Sequence, residues 1–442
     1  MNFKIFSLIA ALTLLFLSAC TEEDRQEIQN NIENELFEDR DYSYLIKFPT
    51  TANSACPDWQ PNQTVVLRES MTLPANCSFE QVTIKIDRPN VTLDCNQAVF
   101  NGMKKLKRNR YGEEYTADEA PARYGIVIQG SQNAAERISN VTIRQCQILN
   151  YEDAMTIKIP LPKDTLLALR EGSMPESQIQ AIAPTTISVL NSKLVNSHLH
   201  GIFVNRYISG LTVKHTQILG SGNSGIYLGA DVENSEITNS VFEGNGFSSY
   251  DREKLRRNGR RTEGAMREGI AIDSSSNNYI ANNIFRKNGD GGIYLYKNCW
   301  EFVEDPYTSP HRYGSNNNII DNNQFFNEIV GVWVAERADR DLTGFTCGDP
   351  LVYQRDDERY YRDIARNNQI TNNYFQDNEN GIRVQDDGTT VTDNKFQNTK
   401  TGPDIKVYSF VREKIGDPVN NTTLRGNILS KPSNISFEHN AN

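Results

Sequence analysis

Gly225-Ile226-Tyr227-Leu228 leads to Ile237-Thr238-Asn239-Ser240, and Gly269-Ile270-Ala271-Ile272 leads to Tyr279-Ile280-Ala281-Asn282-Asn283. Gly292-Ile293-Tyr294-Leu295 leads in the same way to Ile319-Ile320-Asp321-Asn322-Asn323. The phrase returns at Gly331-Val332-Trp333-Val334 with Ile370-Thr371-Asn372-Asn373, and at Gly381-Ile382-Arg383-Val384 with Val391-Thr392-Asp393-Asn394. A glycine opens an alternating apolar triplet, and a β-branched run closes on Asn-Asn or Asn-Ser. Self-similarity of this kind sets an architecture and shows where a binding surface can lie.

The closing polar residue supplies a register. Ser192, Thr216, Ser240, Asn283, Asn323, Asn373, Asn394 and Asn427 fall on one step, with Cys146 earlier in the series. The tightest spacings are 24 residues (192 to 216, 216 to 240) and 21 (373 to 394). That length suits one coil of a solenoid and is too short for a propeller blade. Period-2 alternation with Val, Ile and Thr indicates strands. Asn tolerates the left-handed backbone of a sharp bend, and stacked Asn side chains can hydrogen-bond from coil to coil. A leucine-rich solenoid would need a Leu ladder and a helix per repeat, and neither is present. The expected fold is all-β: a right-handed parallel β-helix of about ten coils. The repeat grammar resembles the pectin-lyase-like superfamily, including the right-handed β-helix region proteins of bacterial envelopes, over roughly residues 60–430. Many functions share this architecture, so the resemblance implies a fold and names no reaction.

The N-terminus has one basic residue, Lys4, an apolar stretch from Ile5 to Leu17, and then Leu17-Ser18-Ala19-Cys20. This describes a cleaved export signal over residues 1–19, too short to span a bilayer stably. Leu-Ser-Ala-Cys also resembles the bacterial lipobox, which implies lipidation of Cys20 and a membrane anchor. Thr21 stands where an inner-membrane retention signal often has Asp, which favours the outer membrane, on its periplasmic or cell-surface face. Residues 20–45 read as an acidic tether with Ile28, Ile32 and Leu36 at helical spacing. Residues 46–80 are expected to cap the solenoid, 81–430 to form it, and 431–442 to be a tail. Six Cys remain after Cys20 in an exported chain, so disulfides are permitted. Expected pairs are Cys56 with Cys77, Cys299 with Cys347 and, at even odds against a small buried ladder residue, Cys95 with Cys146. No CxxC or Cys/His cluster suggests a metal. No cofactor is evident; Ca²⁺ is compatible with the sequence without being supported by it. A net charge of −10 argues against nucleic acid as a partner. A monomer is expected.

Insertions enlarge the coils before the Gly-Ile-x-Leu strand at 102–123 and 247–267, and after it at 160–185, 298–314 and 336–366. All border one sheet, and a solenoid usually uses the face its long loops surround. Residues 247–267 carry seven Lys or Arg against three acids, and 102–123 carry six against four. These runs are either a solvated surface or a rim that attracts an anionic polysaccharide, since Arg forks onto carboxylate or sulfate. The 336–366 insertion mixes both signs and fits a lid held by ion pairs. Alternation sends Ile and Leu inward and the middle residue outward. The outward column then reads Phe203, Tyr227, Ala271, Tyr294, Trp333, Arg383. It is either a sugar-stacking stripe or a second core under folded-over loops. Its Phe203, Tyr227, Tyr294, Trp333 and Arg383, with Arg267, make up the expected substrate-binding set.

The acid–base candidates around this column are Lys297, His311, Arg312, Asp273 and Tyr296; His200, just before Gly201, is either a further candidate near the sheet or a residue that fills a turn. Abstraction of the C5 proton of a uronate needs a cation on the carboxylate (Arg312 or Arg267) and a base (His311, Lys297 or Tyr296). Lys297 followed by a later Arg is faintly similar to the Lys/Arg pair of β-helix alginate and chondroitin lyases. Pro310-His311-Arg312-Tyr313-Gly314 departs from their Arg-His-Gly order, and the Asp-Pro-His-Asp motif of mannuronan epimerases is absent. Hydrolysis would instead use two carboxylates such as Asp273 and Glu336. The expectation is therefore an envelope-anchored protein acting on an anionic polysaccharide, as uronate lyase or C5-epimerase. The alternative is a non-catalytic polysaccharide-binding, adhesion or scaffold lipoprotein. Convergence of His311, Lys297, Arg312 and Asp273 in one cleft would favour the enzyme.

Overall fold

Each Asn-Asn pair divides two jobs between its members. In a computed structural model that describes residues 41–51, 53–102, 122–247 and 267–437, Asn239, Asn282, Asn322 and Asn372 have φ between 51° and 58°. That left-handed turn is one Asn adopts at little cost. The next residue points inward and joins the neighbouring coil. Backbone N–H groups of Ser240, Asn283, Asn323, Asn373 and Asn394 donate to the side-chain oxygens of Asn283, Asn323, Asn373, Asn394 and Asn427 at 2.8–3.0 Å. Ser192 and Thr216 continue the series toward the N-terminus.

These turns fold the chain into three long parallel sheets of twelve, eleven and ten strands. One strand per sheet makes a coil, giving ten complete coils, a partial eleventh and the first strand of a twelfth among the described residues. The Gly-Ile-x-Leu strands make the twelve-stranded first sheet, with Ile226, Ile270, Ile293, Val332 and Ile382 aligned and buried. A Cβ on Gly225 would sit 2.6 Å from the carbonyl oxygen of Gly269, which explains the glycine. Inside, Phe242, Phe285, Phe325, Phe375 and Phe396 stack face to face with ring centroids 4.8–4.9 Å apart. This equals the strand spacing, so the rings stack one per coil in register with the strands. Tyr42–Asn442 forms one compact unit.

The solenoid begins earlier than residue 81. Thr64–Leu67, Met71–Thr72 and Ser78–Glu80 already form a coil that pairs with the next. At the other end, Ile435–Ser436 closes the first sheet within the expected tail. Residues up to 45 are not all tether: Tyr42 and Ile46 pack on Val99, Leu149, Val195 and Leu219 of the third sheet. Cys20, Ile28, Ile32 and Leu36, and nearly all of both basic insertions, lie outside the described residues. Disulfides join Cys56 to Cys77 and Cys95 to Cys146, while Cys146 also occupies its ladder step. The expected Cys299–Cys347 bridge is absent, although the two thiols are neighbours. The local antiparallel bridge pairs Cys347 with Glu301, two residues past Cys299.

Candidate functional site

The strand register fixes the outer rows of the first sheet. One row runs Lys85, Val127, Thr156, Phe203, Tyr227, Ala271, Tyr294, Trp333, Arg383, Lys406. The column foreseen from alternation therefore exists, but half of it is not an open platform. Tyr294 is 1% exposed and Trp333 8%, and with Ala271, Tyr296 and Val330 they form a second apolar cluster. Loop and neighbouring-strand groups cover them: Tyr294 donates to the Asp290 carbonyl, Trp333 donates to Gln385, and Arg383 lies 4.4 Å from the Trp333 ring centroid. Phe203 and Tyr227 remain half-buried and stack at 5.4 Å.

On one side of that pair stands Asp273, wholly buried. Its carboxylate accepts from the Tyr227 hydroxyl at 2.5 Å, from the Asn298 amide at 3.0 Å and the Asn298 side chain at 2.5 Å, and from Ser274 at 2.9 Å. His311 Nδ1 lies 3.3 Å from the same carboxylate and 3.1 Å from the Ser274 hydroxyl, and its side chain keeps 18% of its surface open. Burial by itself would raise the Asp273 pKa. The facing His311 and the hydrogen bonds from His311, Tyr227 and Asn298 outweigh it and hold the carboxyl well below the usual range.

A second pair faces it across the aromatics. His200 Nδ1 is 2.9 Å from Asp153, whose other oxygen accepts from Thr156 at 3.1 Å, and the His200 ring centroid is 5.1 Å from Phe203 and 5.7 Å from Tyr227. Asp153 was not legible as a site residue. It precedes His200 by 47 positions, and only the insertion between them, at 160–185, hides that they occupy adjacent coils.

The remaining acid–base candidates do not join His311. Lys297 forms an ion pair with Asp349, and its backbone N–H donates to Asp363 at 2.5 Å. Its side chain thus turns into the 336–366 insertion. Arg312 donates to the Leu169 carbonyl at 2.9 Å and pairs with Glu176 at 3.4 Å, tying its loop to helices Lys163–Glu171 and Glu176–Ile182. Tyr296 is buried, its hydroxyl 3.3 Å from Glu268 and its ring under Arg337. Burial and then the Glu268 charge push its pKa up. Burial also raises Glu268, against Arg267 beside it. Glu336 pairs with Arg337 and Arg340 and is 7% exposed, as an ion-paired lid would have it.

Among the described residues no group of three or more His, Cys, Asp or Glu is placed to hold a metal ion, and no helix is long and apolar enough to cross a membrane. Residues 124–346, half of the chain, match the family described as right handed beta helix region, and residues 302–410 match one described as periplasmic copper-binding protein (NosD). No curated protein matches. Among solved structures, a mutant of the periplasmic alginate epimerase AlgG aligns at 11% identity over 88% of this chain and 82% of that one, with a TM-score of 0.46. An alginate lyase from Paenibacillus sp. str. FPU-7 aligns at 11% identity over 87% and 95%, with a TM-score of 0.36.

Proposed function

We propose that this chain, which belongs to the right-handed β-helix region family, acts on a uronate-bearing polysaccharide laid along its first sheet. The observation that carries the reading is the Asp273–Ser274–His311 array beside the half-open Phe203–Tyr227 pair. Asp273 engages Nδ1 of the imidazole, which leaves Nε2 as the acceptor for a substrate proton, and its charge stabilises the imidazolium that forms. The C5 proton of a uronate is the acidic C–H such a base would remove, once a cation stabilises the carboxylate. Arg206, bonded to Ser309 in the His311 loop, and Arg267 are the candidates for that cation. His200, held by Asp153 across the aromatic pair, is the second proton-transfer group. It would return a proton to C5 in an epimerase or protonate the leaving oxygen in a lyase.

Incubation with alginate, polygalacturonate and glycosaminoglycans tests this, reading ultraviolet absorbance for unsaturated uronates and NMR for inverted residues. Turnover lost in His311→Ala with polymer binding intact supports the reading; absence of both products with every polymer sinks it. A non-catalytic binder is the second reading, favoured by Lys297 and Arg312 being committed to loop contacts. It predicts binding without either product.

The envelope location belongs to the same proposal. The export-type N-terminus with Cys20 and the match to a family described as periplasmic support it. Cys20→Ala should move the protein from the membrane fraction to the soluble envelope fraction. Retention in the membrane would remove the anchor.

A further inference from the structure

The outer face of the first sheet continues from His311 toward the N-terminal coils, through buried Thr156 and Val127, and it ends in positive charge. Asp273 and Lys158 lie in one row: Ile157 pairs with Val204, Val204 with Leu228 and Leu228 with Ile272, so the following residues are Lys158, Asn205, Gly229 and Asp273. Between the two charged ends the row holds only half-buried Asn205 and buried Gly229, beside Phe203 and Tyr227. At its far end the Lys158 ammonium sits 4.5 Å from the Tyr124 ring centroid and 3.5 Å from its hydroxyl, and the Arg123 guanidinium sits 5.0 Å from the same ring. Lys85 is close enough to act on Lys158 electrostatically, and its own partner is Asp87 at 3.7 Å.

Two cations share one aromatic ring, and among the described residues neither forms an ion pair with a carboxylate. Partial burial first, and then Arg123 and Lys85, lower the Lys158 pKa, with Asp153 opposing. Like charges gathered on a partly desolvated ring disfavour one another, and an anion placed between them reverses the sign of that interaction. The chain as a whole is acidic, at −10, so this concentration is not a general surface property.

The geometry points to a distal anion subsite formed by Arg123, Lys158 and Tyr124, which takes a carboxylate or sulfate of the polysaccharide while His311 meets another residue of the same chain. This rests on the first sheet being the polymer track. Three strand steps separate Lys158 from Asp273, roughly 14 Å at about 4.8 Å per step. A pyranose residue is about as long as one step, so a chain occupying both positions spans three to four sugars. The guanidinium can fork onto the anion while the ammonium supplies a point charge.

The test uses the full chain and size-fractionated oligosaccharides of alginate, polygalacturonate and chondroitin sulfate, with dextran as neutral control. Calorimetry compares wild type with Arg123→Ala/Lys158→Ala, and with Lys158→Gln in case the double variant unfolds. Chains of six or more sugars should bind the double variant at least about tenfold more weakly, and Lys158→Gln less tightly than wild type, while disaccharides bind all three proteins alike. If wild type binds none of the anionic polymers, the polysaccharide reading itself fails. If wild type binds long chains and the variants bind them equally well, the subsite fails and that reading stands.

Discussion

Asp273 and Asp231 are both buried carboxyls, and their surroundings send them in opposite directions. Asp273 receives four hydrogen bonds besides His311, and its folded pKa lies below the unfolded value near 3.9. Its stabilising contribution is therefore full above that unfolded value and is lost as pH falls through the folded one. Asp273→Asn should destabilise at neutral pH, with the gap to wild type closing under acid conditions in denaturant titrations. It should also slow turnover about 10²-fold or more, because the imidazole loses the charge that orients it. Asp231 is pushed up to about 7, first by burial and then by Glu176, against Arg206. Here the unfolded chain ionises first, so stability falls as pH rises from about 4 to 7. Its φ of 59° suits Asn, so Asp231→Asn removes the buried charge without backbone strain. The variant should match wild type near pH 4 and exceed it by a few kcal/mol at pH 8 in the same titrations; equal curves at both ends would refute the buried-charge account.

At the scale of the element, the Asn step is the feature the sequence reports best. Each position from Ser192 to Asn394 that shares the repeat register hydrogen-bonds to the next coil, because the inward step after each φ-positive turn takes a residue with a side-chain oxygen that accepts a backbone N–H. Asn323 illustrates the stakes: its amide donates to Asn373 and the Ile280 carbonyl, and its oxygen accepts from the backbone and side chain of Asn283. Asn323→Ala leaves buried donors without partners and should cost about 3 kcal/mol or more, read as a lowered denaturation midpoint. The site was less legible for a physical reason. Period-2 alternation says which way Tyr294 and Trp333 point, but a loop's path obeys no period, so what covers them is invisible to it. The same holds for Lys297 and Arg312, whose partners Asp349, Leu169 and Glu176 sit in other insertions. His311 and Asp273 could be foreseen because one lies on a strand and the other in the insertion beside it. Asp153 and His200 could not, since the 160–185 insertion between them hides that they stand in adjacent coils.

At the scale of the molecule, stacked coils touch only their neighbours, so resistance to unfolding is set separately at each end. The N-terminal coils are held by Cys56–Cys77 and Cys95–Cys146, which close loops of 21 and 51 residues and are each worth roughly 3–4 kcal/mol by chain entropy. The C-terminal coils have no disulfide among the described residues. Helix Phe410–Lys414 covers them instead, with Arg412 joined to Asp386 and Asp387 at 2.8 Å and to Asp417 at 3.1 Å. Reductant and salt should therefore loosen opposite ends. In hydrogen exchange, reduction is expected to strip protection from residues 64–101 first and leave 380–425 as in the oxidised protein. Arg412→Ala should do the reverse, because three carboxylates then lose their common partner. The distinction bears on the proposed site. Lys158 belongs to the coil that follows the stapled ones, so reduction should weaken long-chain binding before it disturbs the Asp273–His311 pair four coils beyond the second disulfide. Simultaneous loss of protection at both ends on reduction would mean the coils unfold as one unit, and this separation of the two sites would not hold.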